Sequence, residues 1–205
     1  MELSKNIYNI HIRRLPMPHV NIFDFDGVLA DPLEEGLFNL PLGYKSQRLV
    51  EAVTRELGLD LRGESAKSAH YVCMQAVLWQ SCIPIETGPM FERVFDGPYH
   101  ILTARSDRFA VTRLHEFLID HLPQERHLPV KIMHVDHLPK GQVLEMLLDR
   151  HPENTYTFYD DREKHIQSAR ELKNPRLDIF HVDNDMAPVY ERASTFYERI
   201  LDLAL

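Results

Sequence analysis

Val20-Asn21-Ile22-Phe23-Asp24-Phe25-Asp26-Gly27 is a short apolar run that ends on an acid, with a second acid two residues later and a glycine behind it. The apolar residues read as a strand buried on both faces, closing at Asp24. From Gly27 to about Gly43 the chain is rich in turn formers, with Pro32, Gly36 and Pro41. On the other side, Ile7 to Leu15 alternates weakly and reads as an edge strand stopped by Pro16 and Pro18.

Beyond the turns, two helical stretches follow. Tyr44 to Leu57 sets Leu49, Val50, Val53 and Leu57 on one face and stops at Gly58; Glu64 to Cys82 is halted before Pro84. The pattern then changes to short strands, each leading into a helix. His100–Leu102 precedes a helix over about Asp107 to Leu118, Val130–Val135 one starting near Lys140, and Tyr156–Tyr159 one after Glu163. A last strand spans Leu177 to Val182, and Ala187 to Leu205 reads as a helix that either packs onto the body or leads into further chain. Alternation of this kind predicts an α/β fold, a doubly wound, Rossmann-like parallel sheet covered on both sides. Ligands in such folds bind at the C-terminal ends of the strands. The residues placed there are Asp24, Thr103, a loop leading to Lys140, and Asp160.

Asp24-Phe25-Asp26-Gly27-Val28 resembles the first motif of the haloacid dehalogenase superfamily, an aspartate pair flanking one residue at a strand end. Ile101-Leu102-Thr103 is similar to the second motif, Lys140 to the third and Phe158-Tyr159-Asp160-Asp161 to the fourth. The four stand in family order across residues 20–183. The resemblance implies a phosphatase-type member, because dehalogenases of the superfamily lack the second aspartate. Taken singly, each has a plainer reading: Asp26-Gly27 as a turn, Thr103 as a helix start, Lys140 as surface decoration with Lys131 as a competitor, and Asp160-Asp161 as a solvated pair.

The chemistry fits these residue types. Phosphomonoesters hydrolyse so slowly unaided that enzymes supply accelerations of up to roughly 10²¹. A carboxylate nucleophile divides the reaction through an aspartyl-phosphate, and Asp24 is the first residue past the strand. Asp26 is placed to protonate the leaving oxygen and then to activate water. Mg²⁺ wants hard oxygen ligands; Asp24, the Asp26 carbonyl and Asp160 would serve, with Asp161 bound directly or through water. Asp24, Asp160 and Asp161 with a phosphate dianion bring about five negative charges, of which Mg²⁺ and Lys140 offset about three. Thr103 would hold a phosphoryl oxygen, and either Arg105 or Arg162 could add charge.

About seventy residues separate the first two motifs, more than a crossover needs. The resemblance implies a small helical cap here, from about Gly36 to Phe95, set into a single catalytic domain of residues 1–205. Caps cover the site and select the substrate. Phe38, Tyr44, Tyr71, Trp79, Phe91 and Phe95 read mostly as cap core, and any that line the cleft would favour an aryl phosphate such as phosphotyrosine in a protein. Asp160-Asp161-Arg162 also resembles the fourth motif of nucleic-acid end-repair phosphatases. A small phosphorylated metabolite, a phosphomutase and a catalytically silent binding domain stay open.

Among 205 residues the formal charge is −8, which argues against general nucleic-acid binding. Cys73 and Cys82 match no zinc or dithiol motif and read as buried thiols, consistent with a soluble protein of the cytoplasm or another reducing compartment. The twelve histidines show no metal-binding spacing and read as scattered polar residues.

Overall fold

The computed structural model describes residues 18–39, 44–81, 83–122, 127–135 and 138–203. Five parallel strands form one sheet in the order β3-β2-β1-β4-β5: β1 His19–Phe23, β2 Tyr99–Thr103, β3 Lys131–His134, β4 Thr155–Asp160 and β5 Leu177–His181. The helices are α1 Leu33–Phe38, α2 Tyr44–Leu57, α3 Ala66–Ser81, α4 Arg108–His121, α5 Lys140–Arg150, α6 Glu163–Arg170 and α7 Met186–Leu203, with a 3-10 helix at Phe91–Phe95. The sheet is the doubly wound α/β arrangement expected. The edge strand expected at Ile7–Leu15 lies outside the described residues, as does Cys82.

The strand carrying Asp24 is central. Phe23 pairs with Ile101 of β2 on one side and Tyr159 of β4 on the other. One step further along, the chain therefore sets Asp24 level with Asp160, and Thr103 just beyond on β2. The sheet is buried by two clusters. Phe23, Phe25, Ile101, Leu114 and Phe117 anchor one; Ile22, Leu102, Leu144, Phe158 and Ile166 anchor the other. Alternation of Ile22 and Phe23 between the clusters is the period-two pleat of a strand covered on both faces.

A third cluster stands apart, built from Leu37, Leu49, Val53, Cys73, Met74 and Leu78 with Ala193, Tyr197 and Leu201 of α7. Helices α1–α3 thus share a core with the last helix. Ile85, Phe91 and Val94, at the end of the same insertion, pack instead with the sheet.

One helix was not foreseen. The stretch read as turns contains α1, whose start is held by Asp31 Oδ1 accepting the Leu33 N–H at 2.9 Å. Gly36 made the segment look irregular, but its small size serves packing. A Cβ there would lie 2.9 Å from Val189 Cγ1 of α7, so the glycine permits the two helices to approach closely. No helix among the described residues is long and apolar enough to cross a membrane.

Candidate active site

The turn after β1 holds its acids by backbone hydrogen bonds. Asp24 N–H donates to the Tyr159 carbonyl at 2.9 Å, and the Phe25 carbonyl accepts from Leu29 and Ala30 at 3.0 and 2.9 Å. Gly27 has φ +75°, and a Cβ there would sit 2.2 Å from Asp161 Oδ2. Only glycine satisfies both the left-handed backbone and this contact. The Asp26-Gly27 turn is therefore built around the acid at the end of β4.

Asp24 is 5% exposed. Its Oδ1 accepts the Phe25 N–H at 2.7 Å, and its Oδ2 lies 2.7 Å from Lys140 Nζ. The same ammonium reaches Asp160 Oδ2 at 2.7 Å. Lys140 enters at the first turn of α5, which packs so closely on α6 that a Cβ at Gly141 would meet Ser168 Oγ at 2.3 Å. Lys140 is completely buried, whereas Lys131 is exposed on β3. Burial alone would discharge the lysine, but Asp24 and Asp160 outweigh it and raise its pKa. Burial, with Asp160 and Asp26 adding to it, pushes the Asp24 carboxyl up against the pull of Lys140.

Asp160 is fully buried and gathers donors: Lys140, the Arg162 N–H at 2.9 Å, and His165 Nδ1 at 3.1 Å from each carboxylate oxygen. Burial opposes its charge, yet His165 and Lys140 hold it below the usual carboxylate range. Asp161 is raised, by burial first and Asp160 second. Its Oδ1 is buried and has no hydrogen-bond partner among the described residues.

Asp26 is bound differently. Arg105 Nε and Nη2 lie 2.9 and 2.7 Å from its two oxygens, and Nη2 also reaches Glu34 Oε2 at 3.0 Å. Glu34 in turn holds Arg113 Nε at 2.8 Å, and Arg113 continues to Glu116 and the Ile83 carbonyl. The guanidinium of Arg105 lies over the Phe25 ring, 4.9 Å from its centroid. Burial would raise Asp26, but Arg105 outweighs it and keeps the carboxyl ionised. Thr103, fully buried, joins this set by accepting the Arg105 N–H on Oγ1 at 3.1 Å.

Beside Asp26 a cleft of about 200 Å³ opens between the sheet edge and the helical layer. Phe38, Tyr71 and Phe109 line it, with Arg162 and Glu35. The Phe38 and Tyr71 rings are 4.6 Å apart. Asp107 spans from the α4 N-terminus to α3, accepting from Ala110 N at 3.0 Å, Tyr71 Oη at 2.5 Å and Gln75 Nε2 at 3.2 Å. Burial pushes the Glu35 carboxyl up to about 7, against the pull of its ion-pair partner Arg162. Of the remaining aromatics in the insertion, Trp79 and Phe95 are exposed and Phe91 packs with the sheet; the Tyr44 side chain lies outside the described residues.

No protein-family model matches the chain, and no curated protein matches it. Solved structures do. A protein of Burkholderia xenovorans LB400 described as a haloacid dehalogenase-like hydrolase superposes with TM-score 0.51 at 16% identity, covering 92% of this chain and 96% of the other. The chain carries the haloacid dehalogenase-like fold. Two further structures of this kind align less closely: a protein of Thermotoga maritima assigned as a beta-phosphoglucomutase (TM-score 0.49, 19% identity, 90% and 97% covered) and one of Haemophilus somnus 129PT assigned as a phosphoglycolate phosphatase (TM-score 0.48, 12% identity, 84% and 91% covered).

Within that fold the acidic edge is suited to a metal ion. Asp24, Asp160 and His165 bring ligand-type atoms within 4.8 Å of one another. The unpartnered Asp161 Oδ1 is a hard oxygen with its hydration removed, an arrangement that costs free energy unless a cation meets it. The carboxylates are the harder donors, and His165 is already engaged with Asp160. Asp24 and Asp160 are the oxygen donors of that group; Asp161 is not among its members.

Four participants were not assigned a role from sequence: Glu34, Glu35, Arg113 and His165. The last sits five residues past Asp160 and by sequence is one polar histidine among twelve. Sequence alone does not choose between Arg105 and Arg162 as a source of phosphate charge; the structure gives Arg105 to Asp26 and Glu34, and Arg162 to Glu35.

Proposed function

We propose that the chain is a Mg²⁺-dependent phosphomonoester hydrolase of the haloacid dehalogenase superfamily, working through a phosphorylated Asp24. The observation that carries this reading is the fully buried Lys140, which joins Asp24 and Asp160 at 2.7 Å each at the C-terminal edge of the sheet. A buried ammonium between two carboxylates is costly to maintain for stability alone. It makes sense where an anionic nucleophile must meet an anionic substrate.

Asp24 Oδ attacks phosphorus, a new P–O bond forms, and the bond to the leaving oxygen breaks with its electron pair going to that oxygen. Water, giving a proton to Asp26, then attacks the aspartyl-phosphate, releasing inorganic phosphate and the Asp24 carboxylate. Thr103 holds a phosphoryl oxygen, and Lys140 fixes the Asp24 carboxylate. Asp24, Asp160, Asp161 and the Asp26 carbonyl would bind Mg²⁺, which when present neutralises charge on the phosphoryl group.

The helices between residues 36 and 95 act as the cap, and the aromatic wall of Phe38, Tyr71 and Phe109 favours an aryl phosphate. The Arg105–Asp26 pair points the same way. Arg105 holds the Asp26 carboxyl below the usual range, which disfavours the protonated form that would serve a leaving group. Phenols, with pKa values of about 10, depart without much help, whereas alcohols need protonation. A phosphotyrosyl side chain fits this requirement.

The test is hydrolysis of p-nitrophenyl phosphate with Mg²⁺, with EDTA, and by Asp24→Asn. Activity that requires Mg²⁺ and is lost in the variant is expected; activity surviving Asp24→Asn overturns the assignment. A panel of phosphotyrosyl peptides, nucleotides, 3′-phosphorylated oligonucleotides and sugar phosphates ranks the substrates, and phosphate passing to a sugar rather than to water identifies a mutase.

A further inference from the structure

Three cations stand at the catalytic edge, and they differ in what they have left to offer. Lys140 has no exposed surface and is spent on Asp24 and Asp160. The Arg105 side chain is 9% exposed and is committed to both oxygens of Asp26, to Glu34 and to the Ala110 carbonyl. Arg162 is different. Its side chain is 38% exposed, it lines the cleft, and its one ion-pair partner among the described residues is Glu35.

The root of Arg162 is fixed on Asp160, and its tip pairs with Glu35 at the cleft. Its backbone N–H is bound to Asp160 Oδ1 at 2.9 Å, and it stands in extended conformation (φ −97°, ψ 117°) just before α6. The guanidinium thus starts two residues from a buried acid of the site and extends into the cleft. It lies within the field of Asp24, Asp26 and Asp161 as well as Glu35. Acids outnumber cations here, so an arriving phosphate dianion meets repulsion unless a cation turns to it.

Resting on the phosphohydrolase reading, we infer that Arg162 is the substrate-binding arginine, exchanging Glu35 for two oxygens of the transferring phosphoryl group. A guanidinium matches phosphate with two parallel N–H···O bonds, as it does a carboxylate. Glu35 is the placeholder that holds the arm at the cleft wall and competes with substrate for it. The Glu35 carboxyl, already pushed up by burial, can take up a proton when Arg162 leaves and so avoids standing as an unpaired buried charge.

The competition has a sign that a structural role would not produce. Removing the arm should weaken phosphate binding; removing the placeholder should strengthen it. The experiment measures KM and kcat for p-nitrophenyl phosphate, and Ki for inorganic phosphate, in wild type, Arg162→Ala, Arg162→Lys and Glu35→Gln. Loss of a charge-assisted bidentate contact should raise KM and Ki about tenfold or more in Arg162→Ala, with a smaller change in kcat and partial recovery in Arg162→Lys. Glu35→Gln should lower Ki several-fold. An unchanged Ki in Arg162→Ala, or a raised Ki in Glu35→Gln, overturns the inference.

Failure of the broader reading looks different, as absence of Asp24-dependent turnover in wild type. In that event the same variants are compared by thermal melting with Mg²⁺ and inorganic phosphate. Stabilisation lost in Arg162→Ala but increased in Glu35→Gln supports the arm, and equal stabilisation in all, or none in wild type, overturns it. A cooperative melt of each variant without phosphate shows that all are folded.

Discussion

Arg105 grips Asp26 at two points, Nε to Oδ2 at 2.9 Å and Nη2 to Oδ1 at 2.7 Å, although the residues lie 79 positions apart in the chain. The grip does two things at once. It aims the Asp26 carboxylate into the cleft, and it keeps that carboxylate charged.

A charged Asp26 should make the enzyme sensitive to its leaving group. Across a series of substituted phenyl phosphates, kcat/KM of wild type is expected to fall steeply as the phenol pKa rises. Alkyl phosphates should be much poorer substrates. A flat dependence would show that Asp26 delivers a proton in the transition state despite Arg105.

The same pair should be felt in folding. Arg105→Met leaves the partly buried Asp26 without its cation and Glu34 with Arg113 alone, at a cost of about 1–3 kcal/mol. Urea unfolding measures it. Asp26 has a folded pKa below its unfolded one, so its share of the stability is present above the unfolded value and is lost as pH falls through the folded value. The loss in Arg105→Met should accordingly shrink in strong acid.

Lys140→Gln removes the buried ammonium between Asp24 and Asp160. Turnover should drop by at least about a hundredfold, a few kcal/mol of transition-state stabilisation. The metal-free protein should melt lower than wild type. Mg²⁺ should raise the melting temperature more in the variant than in wild type, because it then meets two uncompensated carboxylates. Stripping the metal with EDTA should reverse that gain, and equal shifts in both proteins would separate Lys140 from the metal site.

Gly27→Ala combines strain with collision. Its φ of +75° disfavours alanine, and the added Cβ would lie 2.2 Å from Asp161 Oδ2. Gly63→Ala is the matched control, with φ +89° and nothing within 4 Å. Both should lose about 1 kcal/mol or more in urea unfolding, and Gly27→Ala in addition should lose turnover and Mg²⁺-dependent stabilisation. A Gly27→Ala variant as active as the control would show that Asp161 need not sit against the turn.

Glu35 offers a pH test of the opposite sign to Asp26. Its carboxyl is raised from 4.5 to about 7, burial being the main cause. The folded state then holds a proton that the unfolded state has lost, so stability is full below the unfolded pKa and declines as pH rises through about 7. The decline amounts to about 3 kcal/mol at most. Glu35→Gln should match wild type near pH 4 and melt above it near pH 8. Parallel curves at all pH values would place Glu35 in an ordinary carboxylate environment.

What sequence alone could reveal followed distance along the chain. Asp24, Thr103 and Asp160 end apolar strands, and a strand buried on both faces announces itself in consecutive residues such as Val20 to Phe23. Lys140 is legible only as a lysine near a helix start, with Lys131 as its competitor, and it is burial that separates the two. Helix α1 was hidden because Pro32 and Gly36 look like turn residues, when one stands at the helix start and the other admits α7. The chain of charges Asp26–Arg105–Glu34–Arg113 joins residues 71 to 79 positions apart. No local periodicity encodes such a link; only the folded sheet edge brings its members together. His165 was passed over for a similar reason, since its meaning depends on Asp160 facing it from the preceding strand end.

The tight crossing at Gly36 has a bearing on how the cleft could open. Helix α7 follows the last strand, yet its Val189 and Ala193 lie against α1, which follows the first. Glu34, Glu35 and Phe38 ride on that first helix, facing Arg105, Arg162 and the aromatic wall respectively. Helix α7 thereby backs the wall that carries Glu34, Glu35 and Phe38, so a displacement of α1 would have to break its packing on Val189 and Ala193 or take α7 along.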